Sequence, residues 1–424
     1  MRIYILFLLF QIGAISFSQV SYTSEELFEE GLYFYQREDY NEALYFFSKL
    51  LIESPNNANY NFKVGECYLN IPGQEHLAVE FFEKAAKKIV PKKSYKQRDF
   101  NEKSAPLHAL FYLGNAYRID GQLEKALEVY NTFMESPYFI DNYNFNVVER
   151  EIKSCERAKI IKDSPIDLEK ESFSELINTS YTEHNAILSS DGKTLVFVRG
   201  MKFYDGIFMA KKGEKGWGKP VNINQEIISD GDYYPTGLNS DGTMLLLTRE
   251  IEGNSDIYLS HYRDSVWSLA MKISEKINTM ANETYASFGA SDEEIYLVSD
   301  RKGNKDIYIC KKNGKGQWGK PKILGDVVNS KEDEDTPVIC NNGKTLFFSS
   351  KNHYNMGGYD IFYSNLEKGW SIPRNIGYPL NTTRDDLFFI TDKSCKKAIY
   401  SIIDVETGIS DIYMIEVKSS LVLP

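Results

Sequence analysis

The sequence is poor in the residues that staple a chain or hold a metal. Its 424 residues include only 5 Cys, 5 His and 4 Trp. Cys67, Cys155, Cys310, Cys340 and Cys395 show no CxxC spacing, and an odd number cannot all pair within one chain, so buried free thiols are the expectation. His76, His108, His184, His261 and His353 have no ligand spacing with one another or with the cysteines, which argues against a metal centre. Long apolar runs are missing as well: beyond the N-terminus no segment approaches the roughly 18 continuous apolar residues that a membrane helix needs. Positive charge is in deficit, with 49 Lys+Arg against 60 Asp+Glu and a net charge of −11. No basic stripe interleaved with aromatics is present to neutralise phosphates, which argues against a nucleic-acid partner. Apolar side chains are not scarce: 42% of the residues are hydrophobic and 26% charged, which excludes a mostly disordered chain, and the length calls for more than one domain.

Residues 1–18 read as a cleaved export signal. Arg2 supplies a short positive start, and Ile3 to Ile12 form an apolar run broken only by Gln11, too short to span a bilayer. Ser16 and Ser18 fit the small-residue positions before a cut that leaves Gln19 first. No cysteine lies nearby, so a lipid-anchored N-terminus is not expected.

Residues 19–162 carry helical periodicity and an internal repeat. Gly31, Gly65 and Gly114 are each followed three residues later by an aromatic (Phe34, Tyr68, Tyr117) and then by Ala43, Ala78 and Ala126. Each alanine precedes an aromatic by four residues (Phe47, Phe82, Tyr130), and a proline follows (Pro55, Pro91, Pro137). Small residues let two antiparallel helices approach, aromatics fill the groove between them, and proline stops the second helix. The pattern resembles the tetratricopeptide repeat in three copies, about the minimum for stability. Asn144 to Lys162 reads as a capping helix, and the basic linker Lys92 to Ser104 as a solvated loop. The resemblance implies a concave face that grips peptides, onto which Asn59, Lys63, Glu66, His108, Tyr112, Asn115 and Arg118 would point, either as a binding groove or as a solvated face. The Lys/Asn clamp by which some members hold a C-terminal carboxylate is not reproduced.

From residue 163 to 424 the period changes to about fifty. Asp191, Asp241, Asp292, Asn342 and Asp392 fall at intervals of 50, 51, 50 and 50, and each precedes an apolar strand. The Asp-Gly and Asn-Gly pairs among them supply the positive φ angles of tight hairpins. A second marker follows at Asp205, Asp256, Asp306, Asp360 and Asp411, then Trp217, Trp267, Trp318 and Trp370 in four of the five units. Five small sheets imply a five-bladed β-propeller, with six blades as the alternative. The last unit lacks its tryptophan, while Ile177-Asn178-Thr179 ahead of the first unit matches Ile277-Asn278-Thr279; the segment 165–180 is therefore expected to close the ring.

These units, seen in Ser190 to Pro220, resemble the WD-like repeat of TolB-type propellers. Together with the export signal and helical repeats, the chain resembles periplasmic proteins of Bacteroidetes, among them OmpA-family members and a component associated with type IX secretion and gliding. Such relatives often continue into a peptidoglycan-binding OmpA-like domain that this sequence does not show, so peptidoglycan binding is not implied.

Several motifs fail as catalytic signatures. Gly213 to Lys219 and Gly314 to Lys320 match G-x-x-x-x-G-K, but each is followed by proline rather than the Ser/Thr that holds Mg²⁺. No G-x-S-x-G or H-E-x-x-H occurs. Arg199, Arg249, Arg301 and Lys351 recur from blade to blade and read as structural ion pairs or turn contacts rather than a site. Glu183, Asp232, Glu283, Glu334 and, less regularly, Asp385 precede the first strand of each blade; they either crowd the channel mouth, where they would attract a cation or basic peptide, or cap backbone amides between blades. The chain is thus expected to be a non-enzymatic periplasmic scaffold without a cofactor, binding envelope or secretion-machinery proteins and peripheral to the outer membrane. A propeller-class protein that binds or processes glycans or peptides is the alternative.

Overall fold

The computed structural model describes residues 22–405 and 407–418; the expected export signal lies outside them. Helices α1 (Ser24–Gln36), α2 (Tyr40–Glu53), α3 (Ala58–Leu69), α4 (Ala78–Ala85), α5 (Ala109–Ile119) and α6 (Leu123–Glu135) form three antiparallel pairs, and α7 (Phe145–Lys162) covers the last. The repeated glycines are the reason the pairs close. A Cβ on Gly31, Gly65 or Gly114 would lie 2.6, 2.9 or 2.4 Å from the ring of Phe47, Phe82 or Tyr130, so each aromatic uses the space that a side chain would occupy. All three rings are fully buried.

The second region is a five-bladed propeller. Blade 1 consists of Glu183–Leu188, Thr194–Gly200, Asp205–Gly213 and Val221–Asn222; blade 2 of Tyr233–Leu238, Met244–Ile251, Asn254–Arg263 and Met271–Lys272. Blade 3 consists of Glu283–Phe288, Glu294–Ser299, Asp306–Lys311 and Lys322–Ile323; blade 4 of Glu334–Cys340, Thr345–Ser350, Asp360–Asn365 and Arg374–Asn375. Blade 5 takes Ile390–Thr391, Lys397–Ile403 and Ser410–Val417 from the end of the chain and its outer strand, Leu168–Ser172, from before blade 1. The ring is therefore closed by pairing Leu168 with Val417 through Ser172 with Tyr413. All pairings within blades are antiparallel, so the connections that enter the innermost strands and those that join second to third strands emerge on one face, called here the upper face.

One side chain per blade locks each outer connection onto the third strand. Asn278, Asn329 and Asn381 each accept from the N–H of an isoleucine (Ile257, Ile307, Ile361) and donate to its C=O at 2.7–3.0 Å. Asn178 does the same to Ile412 across the closure, both bonds being 2.9 Å. In blade 1 the role passes to Asn224, which accepts from Ile207 N–H but donates to Asp205.

The cysteines correct the all-free expectation. Cys340 and Cys395 form a disulfide between blades 4 and 5, while Cys67, Cys155 and Cys310 are free and buried. Burial, the leading cause in each case, pushes these thiols up to about 12, 12 and 11. The native protein should give no reaction with a thiol-specific chromogen at pH 8, and 3 thiols per chain after unfolding without reductant; rapid labelling of the folded chain would contradict the packing described.

Candidate functional site

The seven residues placed on the concave face of the solenoid are mostly buried within the chain. The linker 92–104, far from being a solvated loop throughout, folds back over them. Its lysines and Arg98 stay exposed while Tyr95 and Phe100 turn inward. Tyr95 Oη donates to Asn59 Oδ1 at 2.6 Å, Tyr60 Oη to the Phe100 carbonyl at 2.6 Å, and Asn57 Nδ2 to the Glu102 carbonyl at 3.2 Å. Lys63 is 1% exposed and forms an ion pair with Glu66 at 2.7 Å, and Tyr35 Oη donates to the same glutamate at 3.0 Å. His108 packs edge-on to Phe62 and Tyr112 and meets Tyr143 Oη at 3.2 Å. Burial, reinforced by Lys63 and Lys92, holds its imidazole down at about 4, so it is neutral near pH 7. Burial and Glu66 push Tyr112 up to about 12. Asn115 receives Tyr130 Oη at 2.6 Å. Five of the seven thus converge around the Lys63–Glu66 pair, Asn115 serves a helix-pair contact, and none lines an open groove.

Arg118 stands apart, at the junction of the two regions. It is 6% exposed, pairs with Glu151 of α7 at 3.3 Å and donates to the Thr383 carbonyl of the propeller. Around it Thr383 Oγ1 donates to the Ile119 carbonyl at 3.3 Å, Arg384 pairs with Glu75 at 2.7 Å, and Arg150 meets Glu332. Ser154 and Arg157 of α7 bond Asn355 at 3.1 Å each, and Met356, fully buried, enters the hydrophobic core of the solenoid. Asp360 holds that loop by accepting from the Met356 and Gly357 N–H groups at 2.8 and 3.1 Å. The solenoid therefore sits on the upper-face connections of blades 4 and 5.

The acidic series lies between blades and forms no open ring at a channel mouth. Glu183, Glu283 and Glu334 are completely buried. Each accepts from the backbone N–H and hydroxyl of the residue four earlier, Thr179, Thr279 or Ser330, at 2.6–3.0 Å. Arg199 and Arg301 complete the first two at 2.6 and 2.9 Å; Ser350 donates to Glu334 at 2.8 Å. Two members of the series need correction. Asp232 is one residue out of register: opposite Arg249 stands Tyr233, as Glu183 stands opposite Arg199, while Asp232 pairs with the Arg249 guanidinium from a half-exposed position. In blade 5 the buried carboxylate is Asp386, which accepts from Thr382 N–H and Tyr400 Oη; Asp385 only accepts from Tyr359 N–H. The threonine four residues earlier marks Asp386 in the sequence. The innermost strands of all five blades together line a cavity of about 100 Å³, where Ile187, Tyr285, Val338 and Ile390 are joined by Thr236, Ser240, Ser287 and Lys393.

Burial, ahead of the lowering effect of the Ser330 and Ser350 hydrogen bonds, pushes Glu334 up to about 7, and burial likewise pushes Asp360 to about 7. A carboxyl raised in the folded state contributes stability that is full below its unfolded pKa and is lost as pH rises through the folded value. Half-buried His353 and His108, with pKa values lowered by desolvation, act in the opposite sense. Glu334→Gln should therefore remove a downward component of stability between about pH 4.5 and 7, read as the wild-type-minus-variant difference in urea midpoints. A difference independent of pH over this window would contradict the assignment.

No family model matches the chain, and no curated protein does. Among solved structures, TolB from Acinetobacter baumannii is similar at 15% identity and a TM-score of 0.39, over 58% of this chain and 56% of that one. Zg3597, a family 117 glycoside hydrolase produced by the marine bacterium Zobellia galactanivorans, shares 12% identity over 61% of this chain and 92% of that one at a TM-score of 0.40. The first TPR domain of human RPAP3 shares 20% identity over 33% and 94% at 0.25. These likenesses extend to architecture alone: the chain is similar to propeller proteins in one part and to a tetratricopeptide domain in the other.

Proposed function

We propose that this chain is an exported, non-enzymatic scaffold for protein partners in the cell envelope, in an outer-membrane-associated assembly of the type IX secretion and gliding kind. The observation that carries the reading is the use made of its polar groups. Glu183, Glu283, Glu334, Asp360 and Asp386 are each 3% exposed or less and saturated by bonds that hold blades, loops and the solenoid together. A general acid or base must reach a substrate, and these do not. The Cys340–Cys395 disulfide supports export, because such bonds persist in oxidising compartments. The resemblance of the repeats to periplasmic Bacteroidetes proteins supports the assembly.

Cell fractionation tests the location: mature protein beginning near Gln19 in the periplasmic fraction is expected, and an uncut chain in the cytosol would overturn export. Purified protein should leave peptide and glycan libraries unchanged. Turnover that survives repurification would overturn the scaffold reading.

A further inference from the structure

The cavity on the propeller axis opens on the face opposite the solenoid. Connections between the first and second strands of the blades emerge on that lower face, and they supply Ser240, Asp292 and Lys393 to the lining. Lys393 is exposed and Asp292 half-buried, whereas Thr236 and Tyr285, on the innermost strands, are 3% and 2% exposed. The space of about 100 Å³ therefore leads inward from the lower face to buried groups. Asn341 N–H donates to the Lys393 carbonyl at 2.9 Å and the Cys340–Cys395 disulfide flanks that contact, so the mouth is fixed before a ligand arrives.

Three side chains of the lining carry a buried hydroxyl that has no hydrogen-bond partner among the described residues. They are Thr236 Oγ1 of blade 2, Tyr285 Oη of blade 3 and Thr391 Oγ1 of blade 5. Buried hydroxyls are paired as a rule, because an unpaired one forfeits the hydration it had in water. Burial, ahead of the charge of Asp335, pushes the Tyr285 phenol up, so it stays a neutral donor. Neighbouring polar groups are already spent. Ser287 Oγ donates to the Pro337 carbonyl at 2.5 Å, Asn239 Nδ2 to Asp292 at 3.1 Å, and Lys393 Nζ to Ser240 Oγ at 2.6 Å.

These groups select a ligand by charge, chemistry and size. The charged residues of the lining, Asp292 and Lys393, stand at the mouth and are paired with an amide and a hydroxyl, so an ionised ligand would lose its hydration without meeting a free counter-charge. A hydroxyl both donates and accepts and turns to suit its partner. Ligand hydroxyls can therefore meet groups spread over three blades, whereas a planar amide has fixed donor and acceptor directions. Ile187, Val338 and Ile390 give the C–H stem of such a molecule an apolar wall. A cavity of roughly 150 Å³ takes a six-atom ring, so this one encloses about four non-hydrogen atoms, the size of one –CH(OH)–CH₂OH unit.

We infer that the axial cavity, entered from the lower face, binds the terminal 1,2-diol of a neutral polyol through Thr236, Tyr285 and Thr391. The site is independent of the scaffold reading. Ligand-observed NMR titrations of the full chain with glycerol, sorbitol, myo-inositol, acetamide and glycine test it. Saturable binding of glycerol is expected, and none of myo-inositol, which has no terminal diol, nor of acetamide or glycine. Sorbitol binding as well as glycerol identifies the end of a longer acyclic chain as the ligand, and glycerol alone identifies a free three-carbon polyol; either result supports the inference. Thr236→Val, Tyr285→Phe and Thr391→Val should each weaken glycerol binding about two- to tenfold, the worth of one hydrogen bond. The melting temperature of the ligand-free variants should stay level or rise, because no partner is lost within the chain. A fall in that temperature would show that the hydroxyls hold structural water and would overturn the inference. So would a glycerol signal that does not saturate, undiminished affinity in all three variants, or preferred binding of myo-inositol, acetamide or glycine.

Discussion

Replacing Arg118 with methionine is expected to lower the unfolding free energy by about 3–5 kcal/mol, the range for removing one member of a buried ion pair. Methionine fills much of the volume, so the loss is electrostatic: Glu151 keeps a buried negative charge with only Arg150, at 3.6 Å, as partner, and the Thr383 carbonyl loses its donor. Both consequences fall on the contact between solenoid and propeller. A single urea transition in the wild type should therefore broaden or split in the variant, with lower apparent m, and trypsin should cut after Lys162, where the segment joining the two regions begins. The double variant Arg118→Met/Glu151→Gln should recover part of the loss, because it removes the stranded charge. A loss below about 1 kcal/mol would mean that the guanidinium is hydrated at the junction and contributes like a surface pair.

The second large effect concerns ring closure. Asn178→Leu leaves the N–H of Ile412 without a partner and its C=O with only the longer bond from Phe173 N–H at 3.4 Å; one unsatisfied buried group costs about 1–3 kcal/mol, and a loss of that size is expected. Asn278→Leu removes the same two bonds from Ile257, yet blades 2 and 3 remain joined along the chain. Hydrogen exchange separates the cases. Amides of Ser410–Val417 and Leu168–Ser172, which pair across the closure, should exchange faster in Asn178→Leu than in Asn278→Leu. Equal protection in both would show that strand pairing alone holds the ring shut.

The five blades and the closing strand were legible because their signals are local and repeated: a turn dipeptide about every fifty residues, a strand after it, and one Asn-hydroxyl pair out of place at the front. The paired helices were legible for the same reason. The sites were not, because burial depends on which distant segment covers a residue. Nothing in Lys63 or Glu66 says that Tyr95 will fold over them, and nothing in Arg118 says that Thr383 will meet it. The Asp385/Asp386 error has a different origin. A strand alternates faces, so a slip of one residue exchanges a buried group for a flanking one. The spacing from the hydroxyl residue, four to the glutamate in blades 1, 3 and 4, would have fixed the register. Cys340 and Cys395 lie 55 residues apart, and only the ring brings them together.

The segment 92–104 has a consequence for what the solenoid can recruit. Because it is tethered at both ends, it meets the concave face at an effective concentration that, for short tethers, is of millimolar order. An incoming peptide competes with a resident that never diffuses away. A ligand that succeeds must free Tyr95 from Asn59 and Tyr60 from Phe100. Occupancy of that face would then be reported by the linker itself, whose exposed lysines would become mobile at the moment of displacement.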